Sequence, residues 1–452
     1  MKSLSRRILR TNTKWDETRR SLAWFNVNAG LRLWYDNIAS ITGFIFVGYA
    51  LALGVHKERI GYLASVASLA CFVQLAGLLA ANSIRDKKRF AIFLGYLEPL
   101  FYMGMVVAVY FAPVHLRFTI IALGLMFSAV SIHLTKPTMD EWLASSIPQS
   151  IRGRYLSRRI LIVSIISIVA MWVLGNATEF LKGVKGFETQ GYLALLLAGG
   201  VFGLLAVQSL WRVRMPAISA GARLSWSAVP EVLRHRPFIR YVVATLIYNL
   251  PFWLAAPYYQ VFNLKVVGLG ERAISYMMIG YFVIKIAALP FAGRWLDRLG
   301  PRKMIYLVSP LYVLFFALYA LGSPERPWAP FAAWALIGMA EAGFSVAATS
   351  ALYSSVPESQ SRQAYFAFYN LLAFLFAALG SAGAAWTVGR LESTPPLAIG
   401  PLHFGQFQLL FAISCLMLIP CILGTQLYPG KKQAAAAKPK KAQPAEETDP
   451  SV

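Results

Sequence analysis

The sequence predicts an all-α integral membrane protein with twelve transmembrane helices arranged as two pseudo-symmetric six-helix bundles. Three observations carry this reading. Apolar runs of bilayer length recur along the chain, Lys and Arg alternate between dense and sparse in successive loops, and two loop motifs repeat with nearly the same shift. Of the 452 residues, 57% are hydrophobic and 14% charged, against roughly half and roughly a quarter in soluble domains. Twelve crossings at about 20 mostly apolar residues each need about 240, and the chain's apolar share supplies them.

Residues 1–35 open the chain as a basic arm. Its Ser5-Arg6-Arg7-Ile8-Leu9 is similar to a twin-arginine export signal, but no apolar core or small-residue cleavage site follows, so the arm is expected to be retained in the cytoplasm. Trp15, Trp24, Phe25, Leu31, Leu33 and Trp34, interleaved with Arg, suit a helix lying along the membrane surface. Spans 1 to 6 follow at 36–54, 60–81, 90–111, 115–135, 160–177 and 190–211, making an N-terminal bundle of 36–211. A polar linker, 212–240, leads to spans 7 to 12 at 241–262, 273–293, 304–321, 330–353, 364–387 and 406–427, a C-terminal bundle of 241–427. The tail, 428–452, is rich in Lys, Ala and Pro and too polar to fold alone.

The net charge of +23 would suggest nucleic acid in a soluble protein. Here 33 of the 43 basic residues fall in the termini and alternate loops, against 9 in the intervening loops and Lys285 within a span. That asymmetry places both termini in the cytoplasm, makes the chain a multi-pass protein of the cell's inner membrane, and removes the nucleic-acid reading. Cys71, Cys415 and Cys421 lie in apolar runs without CxxC spacing or a His cluster, so no disulfide framework, metal site or cofactor is expected.

The two blocks repeat each other. Glu58-Arg59 opens span 2 and Glu271-Arg272 opens span 8, a shift of 213 residues. Loop 4–5, Ile147-Pro148-Gln149-Ser150-Ile151-Arg152-Gly153-Arg154-Tyr155, matches Val356-Pro357-Glu358-Ser359-Gln360-Ser361-Arg362-Gln363-Ala364-Tyr365 of loop 10–11 at a shift of about 209. Two six-helix repeats point to a transporter with its site between the halves.

Loop 8–9 reads Gly293-Arg294-Trp295-Leu296-Asp297-Arg298-Leu299-Gly300-Pro301-Arg302-Lys303. It resembles the G-x-x-x-D-R-x-G-x-R-K signature of the major facilitator superfamily, and with the six-plus-six layout the resemblance covers about residues 36–427. Gly293 and Gly300 suit the tight turn that such a loop requires. The resemblance implies that Asp297, Arg298 and Arg302 belong to a charge lattice closing the cytoplasmic mouth, with Arg152, Arg154, Arg362, Asp140 and Glu141 as partners. The competing reading has these charges enforcing topology and meeting lipid headgroups. The first-half counterpart, Asn82 to Arg89, keeps the charges without the glycines, and span 5 lacks the Gly-Pro signature of drug/proton antiporters.

Ionisable groups inside spans are costly and therefore functional candidates. Glu341 lies about 16 Å into span 10 and Lys285 about 18 Å into span 8 from the same side, so an ion pair that exchanges its partner for substrate or a proton is expected, against a permanent packing pair. His133 on span 4 is a titratable or a packing histidine. Asp36-Asn37 reads as an interfacial cap, with a coupling role as the alternative, and Glu98 as one member of an inward structural pair. Pro251 breaks span 7 beside Tyr248 and Asn249, and with Gln260, and with Tyr369 and Asn370 on span 11, these are the expected substrate contacts. An aromatic belt with packing is the alternative.

The leading function is a secondary active transporter of a small polar or anionic solute, working by alternating access and coupled to protons. Its expected partners are that solute, the proton and membrane lipids, with the chain acting as a monomer. A lipid, amphiphile or drug transporter is the alternative, and a non-transporting receptor or enzyme on the same fold stands further back. No P-loop, HExxH, GxSxG or paired catalytic carboxylates are present in the polar loops, so the chain is not expected to be an enzyme.

Overall fold

The computed structural model describes residues 2–74, 84, 86–147, 152–184, 188–215, 228–357, 362–400 and 402–430, by backbone alone at 2–15, 137, 141, 144, 152–154, 156, 157, 160, 228, 229, 362–364, 399 and 402. Among the described residues, thirteen α-helices of nine residues or more build the membrane region. The first half contains α1 (Lys2–Ala39), α2 (Phe44–Ala52), α3 (Ile60–Leu69), α4 (Lys87–Phe111), α5 (Val114–Ser146), α6 (Arg152–Gly183) and α7 (Glu188–Ser209). The second contains α8 (Arg236–Ala255), α9 (Glu271–Leu299), α10 (Pro301–Leu321), α11 (Trp328–Ser355), α12 (Arg362–Leu391) and α13 (Gln406–Leu423).

Among the described residues, ten helical stretches are long and apolar enough to cross a bilayer, from Lys87–Phe111 to Gln406–Leu427. The first two spans are built differently. Span 1 is the end of α1 joined to α2 across a break at residues 40–43, where Gly43 N–H turns back onto the Ser40 carbonyl at 2.9 Å. Span 2 is α3 continued by a 3-10 turn, Ala70–Phe72, and its remainder falls outside the described residues. Each helix satisfies its own backbone groups, which the hydrocarbon core demands, and side chains such as Phe111, Phe180 and Leu416 face outward, more than 65% exposed.

The arm differs from its expectation. It is one helix with the start of span 1, and Trp24, Phe25 and Trp34 pack on the bundle rather than along the membrane surface, while the side chain of Trp15 lies outside the described residues. Phe25 is buried against Trp142, ring centroids 5.7 Å apart, and Trp34 stacks on Phe202 at 5.3 Å. Close approach is possible because α7 presents glycines to it. A Cβ on Gly199 would sit 2.6 Å from Ile38, and one on Gly203 2.9 Å from Tyr35, so this G-x-x-x-G stripe sets the contact.

The halves meet along two seams, α3 against α12 and α6 against α9. Both use small residues: Gly61 lies under Ser381 and Ala385, and Gly175 under Ser275, whose hydroxyl donates to the Met171 carbonyl at 2.6 Å. The core of the second half is aromatic, with Tyr248, Tyr258, Tyr259, Phe315, Tyr319 and Phe411 interlocked. Between α12 and α13 stands an antiparallel hairpin that the sequence reading did not anticipate, β1 (Leu397–Ile399) on β2 (Leu402–Phe404), with Gly400 at φ 59° in its turn. Loop 8–9 turns on Gly300, at φ 78°, whereas Gly293 lies inside α9 and makes no turn.

Candidate functional site

In the second half, α9 and α11 bring two charges together at mid-membrane. Glu341 lies 13 residues and Lys285 14 residues from their helix starts, a depth of about 20 Å at 1.5 Å per residue. Lys285 Nζ is 3.7 Å from Glu341 Oε1 and donates to the Tyr281 hydroxyl at 3.1 Å. Tyr312 on α10 donates to Glu341 Oε2 at 3.0 Å. The side chains of Lys285 and Glu341 keep 26% and 32% exposure, so the pair is held by protein on one side and reachable on the other.

Tyr248 joins this group through rings rather than through charge. It is buried, hydrogen-bonded to Ser309 Oγ at 3.0 Å, stacked on Phe344 at 5.1 Å and edge-on to Tyr312 at 6.1 Å. The other expected contacts are placed elsewhere. Asn249 donates to the Thr245 carbonyl of its own helix at 2.8 Å. Gln260 is 4% exposed and accepts from Asn263 at 3.3 Å, inside the aromatic core. Tyr369 sits beside Tyr241, 5.7 Å between centroids, and Asn370 is half-buried on the next position of α12. His133 crosses between halves, edge-on to Phe374 of α12 at 4.9 Å, with Nδ1 buried and lacking a hydrogen-bond partner among the described residues.

Of the expected gate lattice, Arg302 donates through Nε to the Tyr428 carbonyl at 2.7 Å, tying loop 8–9 to the end of span 12. Asp140 pairs with Lys136 on its own helix at 3.4 Å. Asp297 and Arg298 are exposed in the last turns of α9. The side chains of Glu141, Arg152, Arg154 and Arg362 lie outside the described residues.

The first half holds a charged group of which the sequence reading named the acids, Asp36 and Glu98, but not the base, Arg32. Arg32 stands one turn beyond Asn28, whose amide donates to the Ala206 carbonyl of α7 at 2.7 Å, and it therefore lies beside a membrane helix instead of in a free arm. Its guanidinium grips Glu98 with both ends, Nη1 to Oε2 at 2.6 Å and Nη2 to Oε1 at 2.7 Å, and offers Nε to Asp36 at 2.8 Å. Arg32, Asp36 and Glu98 line a cavity of about 200 Å³ with Ser40, Tyr102 and Ser128. The signal was present as an Arg four residues before an Asp within an apolar stretch, an i, i+4 pair on one face.

Among the described residues, no group of His, Cys, Asp and Glu could hold a metal ion. The architecture is that of a helical protein with many membrane-length helices, and the comparisons agree on the fold. Residues 241–448 match the family model of the Major Facilitator Superfamily. The nucleoside transporter NupG superposes with a TM-score of 0.69 at 14% identity, over 90% of this chain and 98% of that one. The D-xylose-proton symporter gives 0.65 at 14% identity over 91% and 98%, and a bacterial homolog of the human lysosomal transporter Spinster 0.65 at 12% over 94% and 99%. Multidrug resistance protein 2 of Bacillus subtilis is 32% identical over 60 residues, which is 13% of this chain and 15% of that relative. The chain has the fold of these transporters, and its second half carries the match to the family model.

Proposed function

We propose that the protein is a secondary active transporter of a small polar or anionic solute, working by alternating access and coupled to protons, with both termini in the cytoplasm and the chain acting as a monomer in the cell membrane. The observation that carries this reading is the mid-membrane pair of Lys285 and Glu341, 3.7 Å apart and still reachable. Such a pair is too costly to keep at that depth without use, and a solute or proton arriving between its members would change the state of both. The fold's likeness to a nucleoside transporter and a D-xylose-proton symporter supports a solute of that size and polarity. A drug substrate is the second reading, favoured by the 60-residue match to a multidrug resistance protein.

Uptake of radiolabelled nucleosides, pentoses and small organic acids into proteoliposomes under an imposed pH gradient tests it. Accumulation that follows the gradient in the wild type and is lost in Glu341→Gln is expected. Gradient-driven uptake that survives in Glu341→Gln removes Glu341 from the coupling role. Tyr312→Phe takes away a donor from the same carboxylate and is expected to shift the pH profile without abolishing uptake.

A further inference from the structure

The two carboxylates on Arg32 are held in unlike ways. Glu98 takes both ends of the guanidinium and its side chain is 6% exposed, whereas Asp36 takes only Nε and its side chain is 50% exposed, lining the cavity. A bidentate buried pair is fixed, and removing either member strands a charge. A single, half-exposed contact is replaceable. The cavity of about 200 Å³ holds about six or seven waters at about 30 Å³ each, room for a small organic acid. The break at Ala39, Ser40 and Ile41 forms part of its wall, and Lys136 of α5 acts on Asp36 from the facing helix.

We propose that Arg32 and Asp36 form an exchange site for a small monocarboxylate: the solute's carboxylate takes the place of Asp36 on the guanidinium while Asp36 takes up one proton. This rests on the proton-coupled reading above and names its solute class and stoichiometry. The charge balance sets the terms. Before binding, Arg32 (+1), Glu98 (−1) and Asp36 (−1) sum to −1. A monocarboxylate adds −1 and the proton, drawn from water, adds +1, so the group still carries −1 when loaded. A monoanion without the proton, or a dianion with only one, would leave a further uncompensated negative charge in a low-dielectric site. The ionisable groups facing Asp36 are Arg32 and Tyr35 on its own helix, Glu98 and Tyr102 on α4, and Lys136 on α5. Lys136 is itself 3.4 Å from Asp140, which leaves Arg32 as the cation in direct contact with Asp36.

Isothermal titration calorimetry of the full-length protein in nanodiscs, with acetate, lactate and benzoate as probes, decides the proposal. Repeating each titration in buffers of different ionisation enthalpy counts the protons taken up. Uptake of one proton per bound carboxylate is expected in the wild type. Asp36→Asn leaves the guanidinium edge open to a ligand without a titrating neighbour, so it is expected to bind the same probe with no proton uptake and no pH dependence. Arg32→Lys keeps the charge but cannot serve two carboxylates bidentately, and a loss of affinity of about 100-fold or more is expected. Failure of all three probes to bind the wild type overturns the proposal, as does an unchanged proton count in Asp36→Asn. The proton-coupled reading fails separately, if uptake by proteoliposomes ignores the pH gradient while the calorimetric proton at Asp36 remains.

Discussion

Lys182 Nζ lies 2.8 Å from Glu271 Oε1, and this bond joins the two six-helix halves. Lys182 ends α6 and Glu271 begins α9, and the neighbouring pair runs the other way: Arg272 of α9 meets Glu179 of α6 at 2.9 Å. Each helix thus gives one acid and one base. Tyr192 of α7 also donates to Glu271, which is only 3% exposed.

This reciprocal clasp makes a prediction by charge exchange. Lys182→Glu leaves a buried carboxylate facing another, and because Lys182 itself is 32% exposed the cost is discounted to about 2 kcal/mol, about 30-fold in the equilibrium for parting the seam. Ser275 lies beneath the clasp at 0% exposure, so Ser275→Cys, in a chain without Cys71, Cys415 and Cys421, reports parting through its rate of maleimide modification in nanodiscs. Faster modification by about that factor is expected in Lys182→Glu and in Glu271→Lys, and near-normal modification in the double exchange. Equal rates in all four would show that the clasp does not hold the seam.

Glycine makes both seams close-fitting, Gly175 between α6 and α9 and Gly61 between α3 and α12. A Cβ at Gly175 would fall 2.3 Å from Ser275 Cβ and Oγ, and one at Gly61 2.7 Å from the Ser381 carbonyl, whereas nothing lies within 4 Å of one at Gly183. Gly175→Ala and Gly61→Ala must push the halves apart, with an expected loss of about 1–3 kcal/mol for an overpacked contact. Gly183→Ala is expected within about 0.5 kcal/mol of the wild type. Thermal unfolding of the three variants in one detergent gives the ranking, and an unchanged midpoint for Gly175→Ala contradicts the tight seam.

The long helices were legible because hydropathy is a local sum that each stretch carries by itself. The 213-residue shift between Glu58-Arg59 and Glu271-Arg272 reached further still, since it flagged the ends that form both seams. Arg32 was not legible in this way. Assigning bases to alternate loops places it in the arm, and only its contact with Glu98, 66 residues away in sequence, makes it a membrane residue. Arg302 was named, but its partner was hidden, because a charge-lattice signature does not reveal that a backbone carbonyl at Tyr428 takes its Nε. Lys285 and Glu341 were found from depth alone, since equal depth on helices of the same half is nearly a contact.

The repeat also predicts a pH-dependent second seam. Applied to Glu179, the 213-residue shift arrives at Glu392, at the end of α12, and Arg272 corresponds to Arg59. Arg59 and Glu392 both line a cavity of about 410 Å³ with His56, Glu58, Trp386 and Arg390. Here Glu58 stands against Glu392, and hydrogen bonding to that neighbouring carboxylate, reinforced by its charge, raises the Glu392 carboxyl above its ordinary value of 4.5. A raised carboxyl means that the joined seam binds its proton more tightly than the parted seam does. The seam is therefore firmest at and below pH 4.5 and loosens as the pH rises through the raised value. Ser381 faces Gly61 in this seam and is 6% exposed, so Ser381→Cys is expected to be modified faster as the pH goes from 4.5 to 7.5, after correction for thiolate content. Glu392→Gln is expected to flatten that profile at its slow, low-pH level, and His56→Gln to leave it in place. A wild-type slope retained in Glu392→Gln would assign the titration to another group.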